Sequence, residues 1–202
     1  MREMYLLDKR EDSLIGYATA FSFYKELHEL EMKNSQPIVI HGHTTGGNWE
    51  DGMAMFDAIK YSPCSVYMIG HGCLYSMGTV LIQAAKKRYL MPNCSFMVHL
   101  GSMTFESEFQ TAASTMEFYQ TSTDFMLDLY SEKCCKGQFF KEKQMDQKKT
   151  RDFIHKKLKE KTDWYMTSVE AVFYGFADKV LTKTEYVNLR KIGKLVNRNG
   201  KV

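Results

Sequence analysis

The sequence predicts an α/β fold built on a parallel sheet. Short apolar runs of strand character, at residues 4–7, 37–41, 64–69, 88–90 and 95–99, alternate with stretches of helical periodicity. The connections between them are short and rich in turn residues, as in Thr44-Thr45-Gly46-Gly47 and Pro92-Asn93. Strands alternating with helices through short loops are the pattern of stacked βαβ units.

After the first strand, residues 17–33 read as a helix in which Ala20, Phe23, Tyr24, Leu27 and Leu30 recur at helical spacing. The second strand ends in the glycine turn. Asn48 then caps a helix with Glu50 and Asp51 in its first turn and Met53, Phe56 and Ile59 on one face. Strand 64–69 runs through Gly70 and Gly72 into Tyr75-Ser76-Met77-Gly78, which opens a helix over 79–85, and strands 88–90 and 95–99 follow.

Beyond His99 the alternation stops. Residues 107–136 read as one long helix whose stripe, including Met116, Tyr119, Thr123, Met126, Leu127 and Tyr130, has a period of about 3.5 residues. At roughly 45 Å, such a helix fits contact with a second copy of the chain or ordinary core packing. Gly137 ends it, and residues 138–149 read as an inserted charged loop with Phe139 and Phe140 exposed. A helix over 150–161, a short helix capped by Ser168 and a strand at 179–181 complete a domain spanning 1–181, with a basic tail at 182–202.

The 202 residues suffice for one domain that buries roughly seventy per cent of its unfolded surface. No apolar run approaches the eighteen residues of a membrane span, and charge follows Met1 too closely for a signal peptide, so a cytoplasmic protein with no membrane partner is expected. Five cysteines, an odd number without CxxC pairing or zinc-site spacing, read as reduced thiols rather than disulfides or metal ligands. Six Lys/Arg face Glu185 alone in residues 181–202, leaving the rest nearly neutral; this charge reads as a solvated surface, so no nucleic acid is expected.

Serine at a strand-to-helix turn is exposed and polarised by the helix N-terminus. Ser76 fits that description, although a plain helix cap fits the segment equally. Acyl transfer by serine also needs a base, a carboxylate to orient it and two donors for the oxyanion. His99 closes the apolar strand Phe96-Met97-Val98, at the carboxyl edge where open α/β sheets place their sites; a structural histidine fits there too, and His71 is the rival base. Gly46-Gly47 lies between a strand and a helix, where an N–H can be presented without a Cβ, and the Met77 N–H is the natural second donor. Asp124, Asp128, Asp152 and Asp163 are equally available carboxylates.

In order, Gly46-Gly47, Gly52-Met53-Ala54, Ser76-Met77-Gly78, Pro92-Asn93, Met97-Val98-His99, Asp163, Glu170-Ala171, Tyr174-Gly175 and Ala177-Asp178 resemble the landmarks of the Clp protease proteolytic subunit family across about residues 2–181. The resemblance implies the fold shared by that family and the crotonases, with a handle helix at about 107–136. It implies a serine endopeptidase with Ser76 as nucleophile, His99 as base and then acid, Asp163 as orienting carboxylate, and Gly47 and Met77 as oxyanion donors. Leu100, Gly101 and Ser102 would begin the strand that pairs with substrate backbone. No cofactor and no metal are implied. The implied partners are unfolded polypeptide substrates, further copies of the chain in a ring (a heptamer or stacked rings) and an AAA+ unfoldase.

The pattern departs from the family at several points. Trp164 replaces an inter-ring arginine, Thr44-Thr45 replaces Ser-Pro, Tyr75 replaces a small residue, and the strand after His99 lacks a proline and glycine pair. Few residues precede the first strand, and Val39 and His41 stand where docking aromatics occur, although Tyr61 remains. These departures count against an unfoldase and for similarity to phage-encoded forms acting in a host cytoplasm, some of them head-maturation proteases. A catalytically silent ring or scaffold subunit and a CoA-binding crotonase-type enzyme are the alternatives, and both leave Ser76, His99 and Asp163 without joint purpose.

Overall fold

In the computed structural model the described residues are 2–7, 14–101 and 109–192. Ser102, the expected start of the long helix at 107 and the last ten residues of the basic tail lie outside them. The elements in order are β1 (Glu3–Leu7), α1 (Tyr17–Glu31), β2 (Ile38–Thr44), α2 (Trp49–Lys60), β3 (Val66–Tyr75), α3 (Met77–Ala84), β4 (Lys87–Leu90), β5 (Ser95–His99), α4 (Phe109–Cys134), α5 (Gln138–Glu142), α6 (Gln147–Lys161), β6 (Asp163–Met166), α7 (Ser168–Phe173), β7 (Lys179–Val180) and α8 (Lys183–Ile192).

The described strands form one mixed sheet of seven in the order β1-β2-β3-β4-β7, with β5 joined to β3 and β6 joined to β5. Every pairing is parallel except β5 with β6. β3 divides its partners: Tyr67 to Gly70 pair with β4, and Cys73 to Tyr75 pair with β5. The change falls at Gly72, where a Cβ would lie 2.3 Å from the His43 ring and whose φ of +50° is rarely adopted by residues with a side chain. The second half of β3 thereby carries Ser76 to the end of β5.

The sheet is covered on both faces, and β2 is buried along almost its whole length as a two-sided parallel strand should be. The main core joins β1–β6 to α1–α7, while Val39, Ile69 and Leu181 form a second cluster closed by Tyr186 and Leu189 of α8. Residues 183–192 of the expected tail are therefore a packed helix, tied down by Arg190 on Glu3, because its apolar side has the far sheet face to cover.

Four further local expectations are corrected. Residues 138–149 form α5 and the start of α6, not a loop. Phe140 is fully buried, because Phe139, Phe140, Phe153 and Tyr174 pack as one aromatic cluster. Asp146, not Thr150, marks the α6 start by accepting from the Lys149 N–H. Thr167 rather than Ser168 caps α7, in a reciprocal box with Glu170, while the Ser168 hydroxyl donates to Pro92 O. Tyr24 points outward on α1 with Tyr17 and Phe21.

α4 is two things in sequence. Residues 113–120 are mostly exposed, with Met116 56% and Phe118 46% accessible, whereas Met126, Leu127, Tyr130 and Cys134 are buried in the main core. None of the five cysteines is in a disulfide, and Cys64, Cys94 and Cys134 are buried. No described helix is long and apolar enough to cross a membrane.

Candidate active site

Ser76 sits between β3 and α3 with φ +51° and ψ −122°, a region costing a non-glycine residue roughly 1–3 kcal/mol. Its side chain makes no capping bond to α3. The cap reading therefore fails here, and the hydroxyl instead lies 2.7 Å from His99 Nε2. The strained turn is held from both sides: Ser76 N–H donates to Met97 O on β5, and Ser76 O accepts from Thr79 N–H and from the Thr79 hydroxyl. With its proton so committed, Thr79 accepts from the Tyr130 phenol at 2.7 Å. Burial raises the Tyr130 phenol well above its ordinary value, which keeps it a neutral donor. A residue of the buried half of α4 thus braces the turn that presents Ser76.

His99 ends β5, and the antiparallel register sets Asp163, the first residue of β6, directly opposite it. His99 Nδ1 lies 3.5 Å from Asp163 Oδ1, with the Asp163 side chain 45% exposed. The competing carboxylates are elsewhere: Asp124 and Asp128 both bind Arg151 of α6 at 2.6 Å, and Asp152 is exposed on α6. His71, the rival base, turns its Nε2 toward His41 Nδ1 at 2.9 Å. Of the candidates, the fold brings Ser76, His99 and Asp163 into one line.

The glycine pair has two separate tasks. A Cβ on Gly46 would lie 2.6 Å from Ser76 Cβ and 3.0 Å from Met77 N, so the loop passes the serine at glycine distance. Gly47, at φ +148°, passes equally close to the Ile15 backbone, and Ile15 N–H donates to Gly46 O while Asn48 N–H donates to Ile15 O. This segment before α1 fixes the loop. Asn48 caps α2 as expected, accepting from Asp51 N–H. Met77 opens α3, and its N–H is among the first-turn donors without an intrahelical acceptor.

Gly47, Ser76, Met77, His99, Leu100 and Gly101 line one cavity of about 230 Å³. Its remaining wall comes from Asn48, Trp49 and Glu50 at the start of α2, Val80 of α3, and Tyr119, Ser122, Thr123 and Met126 of α4. The α4 residues were missed as site residues by the sequence reading. Tyr119, Thr123 and Met126 were visible only as members of the long stripe, and period alone cannot say which part of a stripe meets the site. The arrangement offers a hydroxyl bonded to an imidazole, a carboxylate behind that imidazole, backbone donors beside the hydroxyl and an adjoining pocket of mixed apolar and hydroxyl lining.

Comparison with known proteins finds the Clp protease family model matching residues 12–184. The chain is 28% identical over 167 residues to ATP-dependent Clp protease proteolytic subunit 2 of Pseudomonas aeruginosa, covering 82% of this chain and 76% of that protein. It is 28% identical over 169 residues to the ATP-dependent Clp protease proteolytic subunit of Deinococcus radiodurans, covering 82% and 75%. A similar subunit from Streptococcus equi subsp. equi is 29% identical over 158 residues, covering 75% and 72%.

Proposed function

The chain belongs to the Clp protease family, which makes it a serine-type endopeptidase, and on that premise we propose that Ser76, His99 and Asp163 are its catalytic triad. The observation that carries this reading is the 2.7 Å contact between Ser76 Oγ and His99 Nε2, made by a serine held at positive φ with no capping role. His99 takes the hydroxyl proton as Ser76 Oγ attacks the scissile carbonyl carbon, and the carbonyl π electrons move onto its oxygen. Gly47 and Met77 N–H groups stabilise that oxyanion. As it collapses, His99 returns the proton to the leaving amine and the acyl group stays on Ser76. Water, deprotonated by His99, then attacks the acyl carbon, and as this second intermediate collapses His99 returns the proton to Ser76 Oγ while the carboxylic product leaves. Asp163 holds the imidazole with Nε2 toward the serine and stabilises its cationic form.

Substrate enters as an extended chain whose backbone pairs with that of Leu100 and Gly101, which follow the last residue of β5 and are not themselves in a strand, and the adjoining cavity receives one side chain. Backbone pairing carries affinity without reading sequence, which fits unfolded polypeptides as the substrate class. The exposed stretch 113–120 of α4, with Met116 and Phe118, fits packing between copies of the chain in a ring that encloses the sites.

An alkyl fluorophosphonate incubated with size-separated protein tests both parts. Labelling of the oligomeric fraction that vanishes in Ser76→Ala is expected. Equal labelling of both proteins removes Ser76 as nucleophile, and an active monomer removes the chamber.

A further inference from the structure

One row of side chains lies beside the triad and takes no part in the proposed reaction. The sheet register sets Tyr75 of β3 beside Met97 of β5, and Met97 beside Tyr165 of β6. Two residues further along β5, His99 faces Asp163. Because side chains alternate along a strand, Tyr165 and Asp163 leave β6 on one face while Trp164 and Met166 are buried on the other. On the outward face the Tyr75 and Tyr165 rings meet edge to face, with centroids 5.5 Å apart and planes at 86°. Met97, between them in the row, is only 8% exposed, although Tyr165 itself is 57% exposed. The residues lining the cavity at Ser76 include neither tyrosine.

β6 is short and weakly supported. Among the described strands its four residues pair with β5 alone, and Asp163 is the first of them. A one-residue slip would carry Asp163 to the buried face. Trp164 and Met166 oppose that slip from below, but they do not join β6 to the strand bearing the serine. The Tyr75–Tyr165 contact does so, reaching across β5 from the residue before Ser76 to the second residue after Asp163. The carboxylate it steadies needs the help: at 3.5 Å from His99 and 45% exposed, Asp163 is open to water as a competing partner.

We infer that Tyr75 and Tyr165 are positioning residues, an aromatic clamp across β5 that holds Asp163 against His99 and so acts on catalysis through the carboxylate. The inference rests on the triad proposed above. The ring edge, not the phenol hydroxyl, makes the contact, and the contact requires both partners.

Saturation kinetics of acylation by an alkyl fluorophosphonate separate the rate of reaction, kinact, from the concentration dependence, KI. Tyr75→Ala and Tyr165→Ala are each expected to lower kinact about tenfold with KI within twofold, and the double variant is expected to be no slower than either. Tyr165→Phe should keep the wild-type rate. In an Asp163→Asn background, Tyr165→Ala should cause no further loss. Tyr165→Leu, which keeps apolar volume without a ring edge, is expected to be as slow as Tyr165→Ala and serves if the latter fails to fold. A raised KI with unchanged kinact would make the pair a substrate contact and overturn the inference. So would an undiminished tenfold loss in the Asp163→Asn background. Both failures leave Ser76-specific labelling of the wild type intact, whereas loss of that specificity removes the triad itself.

Discussion

Gly46 and Ser76 stand so close that a Cβ on the glycine would lie 2.6 Å from the Cβ of the serine. The approach is backbone against side chain, with Gly46 at φ +105° and its loop bonded to Ile15, so neither partner can yield cheaply. Gly46→Ala is expected to slow fluorophosphonate labelling of Ser76 at least a hundredfold and to lower stability by about 1–3 kcal/mol. Labelling rates and urea midpoints check the two effects; a wild-type rate in the variant would show that the loop moves freely away from the serine.

Asp163 differs from the other carboxylates in what faces it. Asp163→Asn should reduce turnover by a factor on the order of 10³–10⁴, the scale of the corresponding substitution in chymotrypsin-type triads. Asp124→Asn and Asp128→Asn, which each weaken an ion pair between α4 and α6, should leave turnover within twofold. Initial rates on an unfolded protein substrate distinguish them, and an unaffected Asp163→Asn would assign the orienting role elsewhere.

His41 gives the fold an acid sensitivity of its own. It is 2% exposed, stacked on Tyr5, joined to His71 and edged by Tyr186, and its Nε2, 3.9 Å from Glu3 Oε2, has no hydrogen-bond partner among the described residues. Burial, and secondarily the neighbouring His71, lower its pKa to about 4, with Glu3 opposing and Arg190 adding to the shift. The native state thus holds this ring neutral while the unfolded chain protonates it below about 6.5. Stability is full above that pH and falls as pH drops from 6.5 to 4, by roughly 2–3 kcal/mol from this group. His41→Phe should flatten that part of the curve of unfolding free energy against pH; an unchanged slope would assign the acid sensitivity to other groups.

Phe140 lies in the segment that reads as a loop, yet it is fully buried among Phe139, Phe153 and Tyr174. Phe140→Ala is expected to cost about 3–5 kcal/mol, measured by denaturant unfolding, whereas a surface loop residue would cost under 0.5 kcal/mol.

The difference between Phe140 and Ser76 shows what was legible in the sequence. The elements that carry Ser76 and His99 announce themselves locally: β3 and β5 are apolar runs, and Asn48 and the glycine pair are turn chemistry at fixed places. α5 and β6 do not. Phe139 and Phe140 are surrounded by lysines and glutamate in sequence, and their partners Phe153 and Tyr174 are supplied by α6 and the end of α7. β6 has four residues whose strand character is set by pairing with β5, so Asp163 was recognisable through resemblance alone. α8 looked like a basic tail because Tyr186 and Leu189 are sparse among its charges, and only the uncovered face of β2 and β3 explains why they dock.

The three groups of the proposed triad are not equally well anchored. Ser76 follows a ten-residue strand paired on both sides, and His99 closes a strand flanked by β3 and β6, but Asp163 opens an edge strand of four residues. Local opening begins where the ladder is shortest. On warming, the orienting carboxylate should therefore be the first of the three to lose its place, with amide exchange quickest along β6. Turnover would fade gradually below the melting temperature while the serine and histidine remain folded and in contact.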